Sequence, residues 1–96
     1  MTERVITEIL RLYPPVHSLP RETTTDVVFD GYRVPADERV LIAIRHIHRD
    51  SRFFDDPETF RPGRWDGDLR SELHDFAYAP FGGGPRTCIG RQFALL

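Results

Sequence analysis

Between Asp55 and Pro80 the chain has no sustained hydrophobic period, and Pro57, Pro62, Gly63, Gly67 and Pro80 interrupt each short run that begins. This stretch takes up more than a quarter of the 96 residues, so regular elements are confined to what lies before and after it. A loop of such length is uncommon in a compact domain and is either disordered or functional. Phe60, Trp65, Phe76 and Tyr78 argue that it packs against something, because aromatic rings bring large apolar surfaces that must be covered. The remaining residues make at most one small domain or a piece of one, with a folded surface of roughly 5,700 Å² by size scaling. That is too little to enclose a large cofactor from all sides.

Hydrophobic residues at 40% and a net charge of -2 describe ordinary soluble composition and exclude both a disordered tail and a basic nucleic-acid binder. All thirteen basic residues are arginine, which suits carboxylate pairing but also follows from codon bias. No apolar run reaches the roughly 20 residues of a membrane span. The opening residues Met1 to Leu10 carry Glu3, Arg4 and Glu8, unlike a signal peptide. The single cysteine, Cys88, rules out an internal disulfide framework and favours a reducing, cytoplasmic setting.

Val5, Ile6, Ile9, Leu10 and Tyr13 recur at three- and four-residue steps, which predicts a helix from Thr2 to Tyr13, ended by Pro14 and Pro15. From Thr23 the texture becomes β-branched. Asp30-Gly31 separates Val27–Phe29 from Tyr32–Val34, a strong hairpin signal, and Val40–Ile44 follows a turn at Pro35 to Glu38. This region reads as a small antiparallel sheet. From Ile89 a helical pattern resumes and is still running at Phe93, Ala94, Leu95 and Leu96, so the last helix is expected to be cut short.

Cys88 follows Gly-Gly-Gly-Pro-Arg and precedes that helix, where backbone N–H groups and the helix dipole favour a thiolate. The position suits a metal ligand or nucleophile, and equally a small buried apolar side chain. Phe81, Gly84, Arg86, Cys88 and Gly90 stand at the spacing Phe-x-x-Gly-x-Arg-x-Cys-x-Gly. This strongly resembles the haem-ligand loop of the cytochromes P450, the haem-thiolate monooxygenases. Glu8-x-x-Arg11, then Pro14-Pro15, a small sheet and an irregular meander follow that family's order, and Phe60-Arg61-Pro62-Gly63-Arg64-Trp65 resembles its Phe-x-Pro-Glu-Arg-Phe/Trp segment. Gly63 replaces the usual glutamate. His48-Arg49-Asp50 resembles the His-Arg-Asp found after the sheet, where it opens a short helical turn. A zinc site on His46, His48 and Cys88 is disfavoured because His17 and His74 are scattered and no second cysteine exists.

The resemblance implies an α+β fragment of the mainly-α cytochrome P450 fold, covering residues 1–96 as a partial carboxyl-terminal portion without a complete domain. It implies haem b (iron protoporphyrin IX), with Cys88 as proximal ligand to the iron. Gly82, Gly84 and Gly90 would let backbone approach the macrocycle, Phe81 would open the loop, and Arg86 and Arg21 would face the propionates. Glu8, Arg11 and Arg64 would form a buried charge network that holds the meander. Val16 to Leu19 would border a pocket for a small organic substrate. Dioxygen and an electron-donor protein (ferredoxin, flavodoxin or reductase) are the further partners, with Arg61, Arg70 and Arg91 as candidate contacts. The distal helix with its acid–alcohol pair is absent, so the isolated chain is expected to be inactive. A truncated remnant is the second reading, and a redox-sensing thiol beside an anion-binding glycine loop is a remote third.

Overall fold

The computed structural model describes residues 2–95; Met1 and Leu96, the last position of the carboxyl-terminal helical pattern, lie outside the described residues. Helix α1 spans Thr2–Leu12 and stops where the two prolines begin. Strands β1 (Leu19–Glu22), β2 (Val27–Phe29), β3 (Tyr32–Val34) and β4 (Arg39–Ile42) follow, then the short helices α2 (Ile44–Ile47), α3 (Leu69–Glu72) and α4 (Arg91–Ala94). Single 3-10 turns occur at Pro62–Trp65 and Gly84–Arg86.

The strands form two separate antiparallel ribbons instead of one sheet. β2 pairs with β3 across Asp30 (φ 47°) and Gly31 (φ 82°), the two positive φ values that a tight primed hairpin turn requires. β4 pairs with β1, Leu19 opposite Ile42 and Glu22 opposite Arg39. The β-branched texture does not mark β1, since Pro20 lies inside it; a two-stranded ribbon tolerates proline on its open edge. Ile44 belongs to α2 and not to the last strand, and its side chain enters the core.

α1 is buried on the face opposite to the one its apolar pattern marks. Thr7, Glu8, Arg11 and Leu12 are buried, whereas Ile6, Ile9 and Tyr13 face solvent. The apolar core is small, made of Leu12, Ile44, Phe54, Ala77 and Ala79. The accessible surface is 7326 Å², well above the roughly 5,700 Å² of a self-contained domain of this size. The radius of gyration, 15.1 Å, likewise exceeds the about 12 Å of a compact chain. Beside this small core, four polar residues among those described are buried as well, and three of them, Thr7, Glu8 and Arg11, lie on α1.

Candidate functional site

Glu8 and Arg11 lie one helical turn apart and are both fully buried. Arg11 grips the Glu8 carboxylate with two parallel hydrogen bonds, Nε to Oε2 at 2.9 Å and Nη2 to Oε1 at 2.7 Å. Three further donors reach the same carboxylate from the irregular segment. They are the Arg61 amide at 3.0 Å, Arg64 Nε at 3.0 Å and the Trp65 indole Nε1 at 2.9 Å. Burial pushes the Glu8 carboxyl upward, but the hydrogen bonds from Arg11, the Arg61 amide, Trp65 and Arg64 outweigh it and hold the group at about 2. The carboxylate is ionised at any ordinary pH.

The structure thus brings Glu8, Arg11 and Arg64 together, and it adds Trp65 and the Arg61 amide, which sequence reasoning missed. An indole N–H has no role except donation, so a tryptophan directly after Arg64 was the available signal. The arginines then fasten the meander through its carbonyl oxygens. Arg11 Nη1 donates to His48 O (2.9 Å) and Pro57 O (2.7 Å), while Arg64 Nη1 donates to Asp55 O (2.6 Å) and its Nη2 to Thr59 O (3.0 Å). Phe54 lies under the Arg11 guanidinium, 5.1 Å from ring centroid, and meets Trp65 edge-on. This helps a chain without periodicity from Asp55 onward to keep a defined path: the carbonyls of Asp55, Asp56, Pro57 and Thr59 are held by two guanidinium groups, and short turns pair much of the rest.

His48, also fully buried, spends both ring nitrogens on backbone. Nε2 accepts from the Ala79 amide at 2.9 Å, so Nδ1 carries the proton and donates to the Arg11 carbonyl at 3.0 Å. Burial lowers its pKa, with the nearby Arg11 charge acting in the same direction against the backbone hydrogen bonds. The imidazole stacks on Tyr78 with centroids 5.3 Å apart. Burial pushes the Tyr78 phenol up to about 12, and its hydroxyl donates to Thr7 O at 3.2 Å. His46 is exposed, so the two histidines do not face a common point.

The chain from Ala79 to Gly90 forms a closed loop. The Gly82 amide donates to Ala79 O at 3.1 Å, and the Cys88 amide donates to Phe81 O at 2.9 Å, joining the two ends. Gly82 (φ 74°) and Gly84 (φ 72°) occupy the left-handed region, where a side chain costs strain. A Cβ on Gly82 would lie 3.5 Å from Leu19 Cδ1, so β1 runs beside the loop. Arg21, two positions along β1, lies on the same side of that strand as Leu19. Gly90 sits just under the sulfur, its Cβ position 4.0 Å from Cys88 Sγ.

Cys88 is exposed, next to the fully exposed Ile89. Arg86 and Arg21 are exposed too, and neither has a carboxylate partner among the described residues. Phe81 is half-buried. A cavity of about 620 Å³ opens between α1, Tyr78 to Gly82, Thr87 and Arg91, and Cys88 is not part of its lining. Among the described residues no cluster of three potential metal-ligating His, Cys, Asp or Glu side chains occurs, and no helix is long and apolar enough to cross a membrane.

A polar knot that ties a helix to a meander, followed by a glycine-rich loop presenting one sulfur, matches a known family along the whole chain. The family model described as Cytochrome P450 matches residues 1–96. The chain is 44% identical over 94 residues to Cytochrome P450 4d2 of Drosophila melanogaster, covering 98% of this chain and 19% of the relative. It is 40% identical over 94 residues to the Thromboxane-A synthase of Mus musculus, covering 98% of this chain and 18% of that one. Among solved structures, the retinoic acid-bound cyanobacterial CYP120A1 superposes with a TM-score of 0.92 at 39% identity, over 98% of this chain and 22% of its own. The chain belongs to the cytochrome P450 family, and its fold is a fragment of the P450 fold. It spans about a fifth of the length of the relatives it matches.

Proposed function

We propose that this chain is the proximal, cysteine-bearing portion of a haem-thiolate monooxygenase that inserts one oxygen atom of O2 into a small organic substrate. The observation that carries the reading is the exposed Cys88 sulfur on a loop closed by its own amide and backed by Gly90. The donor set suits haem b. An exposed sulfur is available for the iron, an exposed apolar neighbour, Ile89, for the macrocycle, and two arginines without carboxylate partners among the described residues for the propionates. When bound, haem supplies the oxygen-activating redox chemistry, and a cysteine thiolate adds the electron density that favours O–O cleavage.

This chain's own residues have narrower tasks. Cys88 would hold the iron. Gly82 and Gly84 keep side chains away from the face of the loop, and Arg86 and Arg21 would neutralise and orient the two propionates. Glu8, Arg11, Arg64 and Trp65 hold the meander in one place beneath the loop, where a buried charge network fixes geometry more than it adds stability. Val16, exposed ahead of β1, borders the substrate. Arg61, Arg70 and Arg91, all exposed, offer a cationic face to an acidic electron donor of the ferredoxin, flavodoxin or reductase type. The setting we propose is cytoplasmic, where Cys88 stays out of disulfide bonds and free to serve as a ligand.

Proton and dioxygen handling belong to a distal helix that these 96 residues do not contain. The isolated chain therefore turns over no substrate, and its large exposed surface agrees with a piece that needs covering. Haem titration followed by the spectrum of the reduced carbon monoxide adduct tests the assignment. A strongly red-shifted Soret band that disappears in Cys88→Ser is expected; an unchanged band in that variant rejects the sulfur as ligand.

A further inference from the structure

His48 stands outside both the charge network and the sulfur-bearing loop, yet it touches each. Arg11 and His48 hold each other reciprocally: the Arg11 guanidinium donates to the His48 carbonyl at 2.9 Å, and the His48 ring meets the Arg11 carbonyl at 3.0 Å. On its other side the ring receives the Ala79 amide at 2.9 Å. Ala79 is the anchor of the loop, because its own carbonyl accepts the Gly82 amide at 3.1 Å, one residue past the Phe81 carbonyl that takes the Cys88 amide. A continuous path of hydrogen bonds therefore runs from Glu8 and Arg11 through one imidazole to the loop that carries Cys88.

We infer that His48 is the positioning residue of the cysteine loop: its neutral, Nδ1-protonated ring pins the Ala79 amide to the end of α1 and so fixes where the Cys88 sulfur stands. The inference rests on the haem-thiolate reading and deepens it. The pin works in one protonation state only. An imidazolium has no acceptor, so it would turn an N–H toward the Ala79 N–H and leave that buried amide without a partner. The groups around the ring oppose that charge. The Arg11 guanidinium faces it from α1, with Glu8 already committed to Arg11, Arg64 and Trp65. Tyr78, stacked on it from the far end of the meander, is held un-ionised. Arg49 and Asp50, its chain neighbours, are engaged with Glu58 and Arg52.

The test uses the haem-loaded protein that carries this chain and compares wild type, His48→Gln, which retains an acceptor for Ala79, and His48→Phe, which retains the ring stacked on Tyr78 and no acceptor. Two quantities are read against pH: hydrogen exchange at the Ala79 amide, and the fraction of the reduced carbon monoxide adduct showing the thiolate band. In His48→Phe, Ala79 exchanges about tenfold faster, the factor expected for one lost buried hydrogen bond, and the thiolate fraction falls. In His48→Gln both stay near wild type. On acidification the wild type loses Ala79 protection and thiolate band together as His48 takes up its proton, whereas His48→Gln shows no such step. Unchanged Ala79 exchange in His48→Phe overturns the inference. If that variant fails to fold, identical pH profiles for wild type and His48→Gln overturn it instead. A wild type with a protected, pH-sensitive Ala79 but no thiolate band rejects the haem-thiolate reading and supports the pin alone.

Discussion

Replacing Glu8 by glutamine removes one charge and leaves two buried cations. Arg11 is fully buried, the Arg64 side chain is 3% exposed, and each has Glu8 as its only carboxylate among the described residues. Two routes give the size of the effect. Breaking a buried pair by deleting one partner costs about 3 to 5 kcal/mol. Independently, a carboxyl held at about 2 against an ordinary 4.5 makes about 3 kcal/mol of stability conditional on its ionisation, at ~1.4 kcal/mol per pH unit. Because the folded value is depressed, that contribution is complete above pH 4.5 and is lost as pH falls from there toward 2. Native domains hold only about 5 to 15 kcal/mol in total, so Glu8→Gln is expected to remove a large share of it. Urea unfolding of the protein that carries this chain, followed by far-ultraviolet circular dichroism, reads this directly. A Glu8→Gln protein within about 1 kcal/mol of the parent would refute the reasoning.

Two further outcomes follow from the same geometry. Trp65→Phe keeps an aromatic ring against Phe54 and Tyr78 but removes a hydrogen bond to an anion, so a loss of about 1.5 to 3 kcal/mol in urea unfolding followed by far-ultraviolet circular dichroism is expected, with the pH dependence below 4.5 reduced but not abolished. Gly84→Ala meets no neighbour and pays only for its backbone at φ 72°, so thermal unfolding should show a loss of about 1 to 2 kcal/mol and no more.

Much of the architecture was legible because local rules are strong where they apply. The proline pair closes α1 within one residue of the expected position, and Asp30-Gly31 makes the hairpin. β1 was illegible because proline argues against a strand and nothing in Leu19 to Glu22 says that a partner lies some twenty residues further on. The α1 pattern misled in a more instructive way. Apolar spacing identifies a helix correctly but says nothing about what is present to cover the stripe, and here the covered face is the one with Glu8 and Arg11. Within the site, the resemblance to the family, and not the spacing alone, named Glu8, Arg11 and Arg64 as a group. The Arg61 amide and the Trp65 indole join them on the Glu8 carboxylate, and the His48 imidazole pairs only with backbone groups, which leave no sequence signature.

The partners of Glu8 arrive late. Arg61, Arg64 and Trp65 lie 53 to 57 positions downstream of it, and the carbonyls that Arg11 binds lie 37 to 48 downstream. During synthesis from the amino terminus, α1 therefore emerges well before the residues that complete its polar face. Until Trp65 has been made, Glu8 and Arg11 lack the partners that the meander gives them, and contacts over such spans form slowly. Assembly of the network is therefore a late event in the making of this stretch of chain.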